Sequence, residues 1–173
     1  MSTPTNIIVG LNAQSTLKAG AYGTTEANAT DLGFIKGGIT LEHEENSYEV
    51  KVDQCLGIID KITTAESLKI KFSLAEATLA NIALAFGYTT TSTTIFEFGD
   101  KSAESYKTLY INVKGPNGAS RKYTFWKCRP TGKTSQSYKR DSETLVEVEF
   151  DVLCDTSKAL NKRFGKIEDT SAV

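Results

Sequence analysis

The residues best suited to chemistry in this chain are carboxylates. In "ETLVEVEFDVLCD", Glu147, Glu149 and Asp151 alternate with Val146, Val148, Phe150 and Val152, so the three acids share the polar side of one strand. Paired carboxylates can do acid–base work, and this spacing permits it. The same row also fits a solvated strand face. A second set is basic. Residues 121 to 140 hold Arg121, Lys122, Lys127, Arg129, Lys133, Lys139 and Arg140 without one acid, with Tyr123, Phe125, Trp126 and Tyr138 among them. Interleaved cations and aromatics occur in nucleic-acid binders, and equally in a hairpin with charged flanks and a core-facing aromatic set. A net charge of -1 and the lack of a recognition motif argue against specific nucleic-acid binding.

Other constellations are weaker. "RPTGKTS" lacks the first glycine of a phosphate-binding loop and has no buried parallel strand leading into a helix. His43, the only histidine, sits in the acidic "LEHEEN" without a nucleophile motif, and reads as solvated or locally paired. Cys55, Cys128 and Cys154 are scattered, odd in number and without a C-x-x-C pair, so no zinc site is expected. They read either as buried free thiols or as candidates for an inter-subunit disulfide. No catalytic, cofactor-binding or metal-ligating residue is assigned, no cofactor is expected, and the expectation is that the chain is not an enzyme.

The elements that must position these groups are mostly strands. At 173 residues, with 39% hydrophobic and 24% charged residues, the chain suits one globular domain with its own core. "SYEVKVDQ" and "ESLKIKFSL" alternate with period 2, as half-buried strands do. "TTIFEFGD", "KTLYINVKG" and "RKYTFWKC" are rich in β-branched and aromatic residues, and Pro116, Asn117 and Gly118 predict a hairpin turn between the last two. Residues 12 to 32, rich in Ala, Thr, Gly and Asn, show no sustained period. The expected organisation is a single domain over 1–173, with 1–32 a flexible N-terminal arm and 158–173 a C-terminal tail. The expected fold is mostly β, two packed antiparallel sheets in a sandwich or barrel-like arrangement, with one flanking α-helix at about 74–86.

That helix lies in "SLAEATLANIALAFG". Ser73 and Glu76 have capping-box spacing, and Gly87 supplies a left-handed stop. Leu79, Ile82 and Phe86 form a stripe to pack on a sheet, while Ala77, Ala80 and Leu84, with Asn81 nearby, make a second side that is also apolar. Such a side needs a second partner, either more of this chain or another subunit, and a single small domain has little material to cover both. The helix residues Ala77, Leu79, Ala80, Ile82, Ala83, Leu84 and Phe86 are therefore candidates for a subunit interface. No apolar stretch approaches the roughly 20 residues that cross a bilayer, and "MSTPTNIIVG" lacks signal-peptide features, so no membrane role and synthesis in a cytoplasm are expected.

Taken in order, "GFIKGGITLEHEENSYEVKVDQCLGIID", a short strand, "SLAEATLANIALAFG" and "YTFWKCRPTGKTSQSYKRDSETLVEVEFDVLCDTS" resemble the major tail tube proteins of long-tailed bacteriophages and related injection devices. The resemblance covers roughly residues 33 to 157. It implies hexameric rings stacked as a hollow tail tube, the conduit for genome delivery, with the sheets of neighbouring subunits joined into a barrel around the lumen. It implies a virion protein, made in the host bacterial cytoplasm, whose partners are itself and other tail proteins: tape measure, baseplate or tip, terminator and sheath. DNA would pass without sticking. On this reading Glu147, Glu149 and Asp151 are candidates for the lumen wall. Arg121, Lys122, Arg129, Lys133, Lys139 and Arg140 are candidates for contact with acidic surface on the next ring, such as Glu42, Glu44 and Glu45. The alternative is a β-sandwich binding module that recognises carbohydrate or a partner protein, with Trp126 and surface tyrosines as its platform.

Overall fold

The structure is a computed structural model and describes residues 13–90, 92–100, 104–115, 120–136 and 138–170. Its strands are β1 (Thr16–Ala21), β2 (Thr30–Asp31), β3 (Ile35–Val50), β4 (Asp60–Leu74), β5 (Lys107–Lys114), β6 (Ser120–Pro130), β7 (Val146–Val152) and β8 (Gly165–Thr170), with one α-helix, α1 (Leu79–Phe86). The strands run in the order β2-β1-β5-β6-β7-β4-β3, all neighbours antiparallel, and β8 pairs with β6. The chain is thus mostly β with one helix. The two expected layers are halves of one eight-stranded sheet that does not close into a barrel. Strand β6 joins the halves: its first part, 120–125, lies between β5 and β8, whereas Cys128 to Pro130 pair with β7.

Alternation builds the core. Leu68, Ile70, Phe72 and Leu74 of β4 stand opposite Val152, Phe150, Val148 and Val146 of β7. The rings of Phe72 and Phe150 stack at 6.0 Å, and Leu109, Ile111, Phe125 and Cys128 complete the interior from β5 and β6. Two expected boundaries need correction. Residues 16–21, expected in the flexible arm, form β1 against Lys107–Asn112 of β5, with Leu17 only 2% exposed. Leu17 and Ala19 point inward there, and one large apolar side chain among small ones leaves little periodic signal. The expected C-terminal tail supplies β8, held by backbone pairing to Ser120–Phe125 while its side chains from Lys166 to Asp169 stay exposed. Residues 1–12 of the arm, 171–173 of the tail, and Pro116, Asn117 and Gly118 lie outside the described residues.

The segment 93–100, expected as a strand, pairs with no strand among the described residues. Phe96 and Phe98 instead cluster with Phe86 at the end of α1, at 6.2 and 5.4 Å between ring centroids. The helix start also differs. Ser73 and Leu74 end β4, and the cap is Thr78, whose hydroxyl accepts from the Asn81 amide at 3.2 Å. Glu76 turns to the 33–34 turn, where its carboxylate accepts from the Phe34 amide at 3.4 Å. The stop at Gly87 is as expected. With φ at 77° it directs its own amide to the Leu84 carbonyl and that of Tyr88 to Ala83, which satisfies two last-turn acceptors.

Candidate functional site

Among the described residues, the outer part of the β3–β4 hairpin lies beside no other strand. Strand β7 covers β4 only from Leu68 to Leu74, whereas β3 and β4 pair onward to Val50 and Asp60. From Glu44 to Ser67 the hairpin is therefore a two-stranded ribbon, exposed along nearly its whole length. At its root, Gly37 and Gly38 take φ of 83° and 86° at a register shift, a backbone region that glycine enters without strain. Its tip is closed by the Cys55 amide on the Val52 carbonyl and the Ile59 amide on that of Val50, at 3.1 and 2.9 Å.

The ribbon is one-sided in an unexpected sense. Near the body, Ile39 and Leu41 pair with Phe72 and Ile70, so odd positions of β3 face the core. Beyond Asn46 the apolar residues are even: Tyr48 opposite Ile62, with Val50 following. A bulge in β4, where Thr64 is the extra residue between Thr63 and Ala65, brings Ile62 onto that side. The outer half therefore carries its apolar face on the ribbon side opposite this chain's core. Tyr48, Leu56, Ile59 and Ile62 are all more than half exposed.

The sequence-derived candidates fall elsewhere. Glu147 is exposed and Glu149 and Asp151 half-buried on the outer side of β7, as the alternation requires. Cations interleave with them. Lys69 Nζ lies 3.6 Å from Glu149, Lys71 stands opposite Glu149 and pairs with Glu42 at 2.7 Å, and Arg129 stands opposite Asp151. Ser135 Oγ donates to Glu147 at 2.6 Å. Of the basic set, Arg121 forms a two-pronged pair with Asp169 at 2.5 and 2.7 Å, Lys122 pairs with Glu26, and Arg129 pairs with Glu104 at 2.7 Å. Asp169 holds the Arg121 proton more firmly than usual and is itself kept below the ordinary carboxylate range. Lys133, Lys139 and Arg140 are exposed. The sequence reading missed these partners because Glu26, Glu104 and Asp169 lie 25 to 96 residues away in the chain.

The helix candidates divide differently from the expectation. Ala83 and Leu84 are buried in this chain, Leu84 at 6% exposure, while Ala77 and Ala80 are exposed and Leu79, Ile82 and Phe86 are half-buried. Leu84 is thus no free face. The rotation is fixed by Asn81, whose buried amide donates to the Leu32 and Glu76 carbonyls at 3.0 and 2.8 Å. Cys128 is also corrected as a disulfide candidate, because it is fully buried and burial pushes its thiol pKa up. Cys55 and Cys154 are exposed. "RPTGKTS" runs from the end of β6 into an irregular segment along β7, with no helix after it. His43 lies 3.9 Å from both Glu45 and Glu66, an exposed cluster on the ribbon. Trp126, the platform of the binding-module alternative, is engaged: its indole N–H donates to the Lys162 carbonyl at 3.0 Å and Lys158 Nζ sits 4.7 Å over its ring.

Among solved structures, the chain is similar to a component of the anti-feeding prophage baseplate in its 6-fold symmetrised cryo-EM structure. The TM-score is 0.53 at 10% identity, over 99% of this chain and 98% of that one. The chain has the fold of a phage-like injection-system component. Lower-scoring similarities are to the virion of a native gene transfer agent particle (TM-score 0.49, 10% identity, 93% and 99% coverage) and to the sheath–tube complex of an extracellular contractile injection system, PVC, in its extended state (0.45, 10%, 95% and 93%). No protein-family model matches the sequence, and no curated protein matches it. No helix among the described residues is long and apolar enough to cross a membrane.

Proposed function

We propose that this chain is a structural virion protein that assembles with copies of itself into hexameric rings stacked as a hollow tail tube, the conduit for a genome. The observation that carries this reading is the apolar outer face of the hairpin, turned away from the core formed by the described residues. Burying an aliphatic or aromatic side chain contributes roughly 1.5–3 kcal/mol, so Tyr48, Val50 and Ile62 together represent on the order of 5 kcal/mol that a lone subunit forgoes. A bare two-stranded ribbon is marginal in water and gains order when a partner covers it. The open sheet supports the same reading, since the outer edge of β3 has no strand beside it among the described residues. Joined between copies, such edges become the seams of a closed barrel. Sixfold symmetry is taken from the baseplate structure that shares the fold.

In such a tube the β7 acids would line the lumen together with Lys69 and Lys71, a mixed wall along which DNA slides. The exposed Lys133, Lys139 and Arg140 would face acidic surface on the next ring. The protein would act in the virion tail, without a cofactor, beside tape measure, baseplate or tip, terminator and sheath proteins. Negative-stain microscopy of the concentrated protein tests the proposal: rings or hollow tubes of uniform width are expected, and a chain that stays monomeric at every concentration would sink it.

A further inference from the structure

A cavity of about 300 Å³ opens between Thr16 and Leu17 of β1 and Phe34, Ile35 and Ile39 at the root of β3. It marks the place where the sheet fails to close, with β1 near one end of the strand order and β3 at the other. None of its lining residues among those described is charged, and Phe34 stands 71% exposed. The hairpin tip has matching chemistry. Residues 54–59, "QCLGII", carry no charge, Leu56 projects fully into water, and Ile58 and Ile59 flank it.

We infer that this cavity seats the hairpin tip of a second copy, with Leu56 as the inserted side chain. The inference rests on the assembly reading above and adds to it the receiving surface. Apolar knob and apolar cavity meet without desolvating a charge, and the volume has room for a leucine with an isoleucine beside it. The hairpin tip cannot reach the cavity of its own chain. Strand β3 starts at that cavity and runs outward, and the eleven steps from Ile39 to Val50 carry the tip on the order of 35 Å away at ~3.3 Å per residue. A knob at one end of a long element and its socket at the other allow a contact that repeats head to tail from copy to copy.

The test uses the full-length chain carrying C55S and C154S, with Cys128 left buried. In that background, F34C with L56C is assembled and treated with a mild oxidant. A ladder of covalent oligomers on a non-reducing gel is expected from assemblies and none from dilute monomer. L56D alone should keep its circular dichroism and melting temperature while raising the concentration needed for assembly by about tenfold or more. If assemblies form but give no ladder, or L56D assembles like the parent, this contact is refuted and the assembly reading stands. Cross-linking of F34C to I8C of the N-terminal segment, with none to L56C, would assign the cavity to that segment and also refute it. A parent chain that never assembles overturns both.

Discussion

Replacing Leu84 by alanine separates the two faces of α1 most sharply. At 6% exposure in the single chain, Leu84 packs in the cluster that includes Ala85 and the inward side chains of β7. Removing its three outer carbons forfeits roughly 2.4 kcal/mol at ~0.8 kcal/mol per carbon, and the cavity left behind adds to this, so a loss of about 3–4 kcal/mol is expected. For a chain of this size each kcal/mol moves the melting temperature by ~2–4 °C, which predicts a fall of roughly 10 °C. With m near 2 kcal/mol/M, the urea midpoint drops by ~1.5–2 M. Urea unfolding of dilute monomer, followed by the fluorescence of Trp126, measures it directly. Ala80→Asp is the control: Ala80 is exposed in the first helical turn, where a carboxylate is favoured, so its cost should stay within ~0.5 kcal/mol. A loss below ~1 kcal/mol for Leu84→Ala, with Ala80→Asp the more damaging change, would refute the observed rotation of the helix.

Asn81→Ala should cost about 1–3 kcal/mol in the same assay, since it strips the Leu32 and Glu76 carbonyls of their donor beneath the helix. Asp155 is held below the ordinary carboxylate range, first by the Ser157 hydroxyl and also by Tyr22, so its contribution is complete above the unfolded value near ~4 and is lost as pH falls through its lower folded value. Urea midpoints at pH 6 and pH 3 should therefore converge in Asp155→Asn relative to the parent, and an unchanged difference would contradict the assignment. A thiol reagent should modify Cys55 and Cys154 in the folded chain and reach Cys128 only on unfolding; rapid reaction at all three sites would contradict its burial.

What the sequence discloses follows from how each element is buried. Strands β4 and β7 are plain in it because their alternate residues enter one core, and Gly87 because only a left-handed stop needs it there. The helix start is misread because Ser73 and Glu76 have capping-box spacing although Ser73 still belongs to β4. Strand β8 leaves no trace, since backbone pairing holds it and its side chains stay in water. "SYEVKVDQ" is the most instructive segment. Its alternation correctly marks a strand with one apolar side, yet the burial that the pattern anticipates is absent from the single chain. The paired charges around Arg121 and Lys122 were illegible for another reason, because their partners arrive from distant parts of the chain.

The bulge at Thr64 has a mechanical consequence. It lies just beyond Leu68, where β7 stops covering β4 and the ribbon leaves the packed body. A bulge bends its strand and increases the local twist, so this one sets the aim of the free arm. The six steps from Asn46 to Val52 give that arm a length of roughly 20 Å at ~3.3 Å per residue, so a change of ~10° at the bulge would swing its end sideways by about 3.5 Å, most of one strand spacing. In an assembly of copies, substitutions at the bulge would retune the offset between successive subunits while leaving both contacting surfaces unaltered.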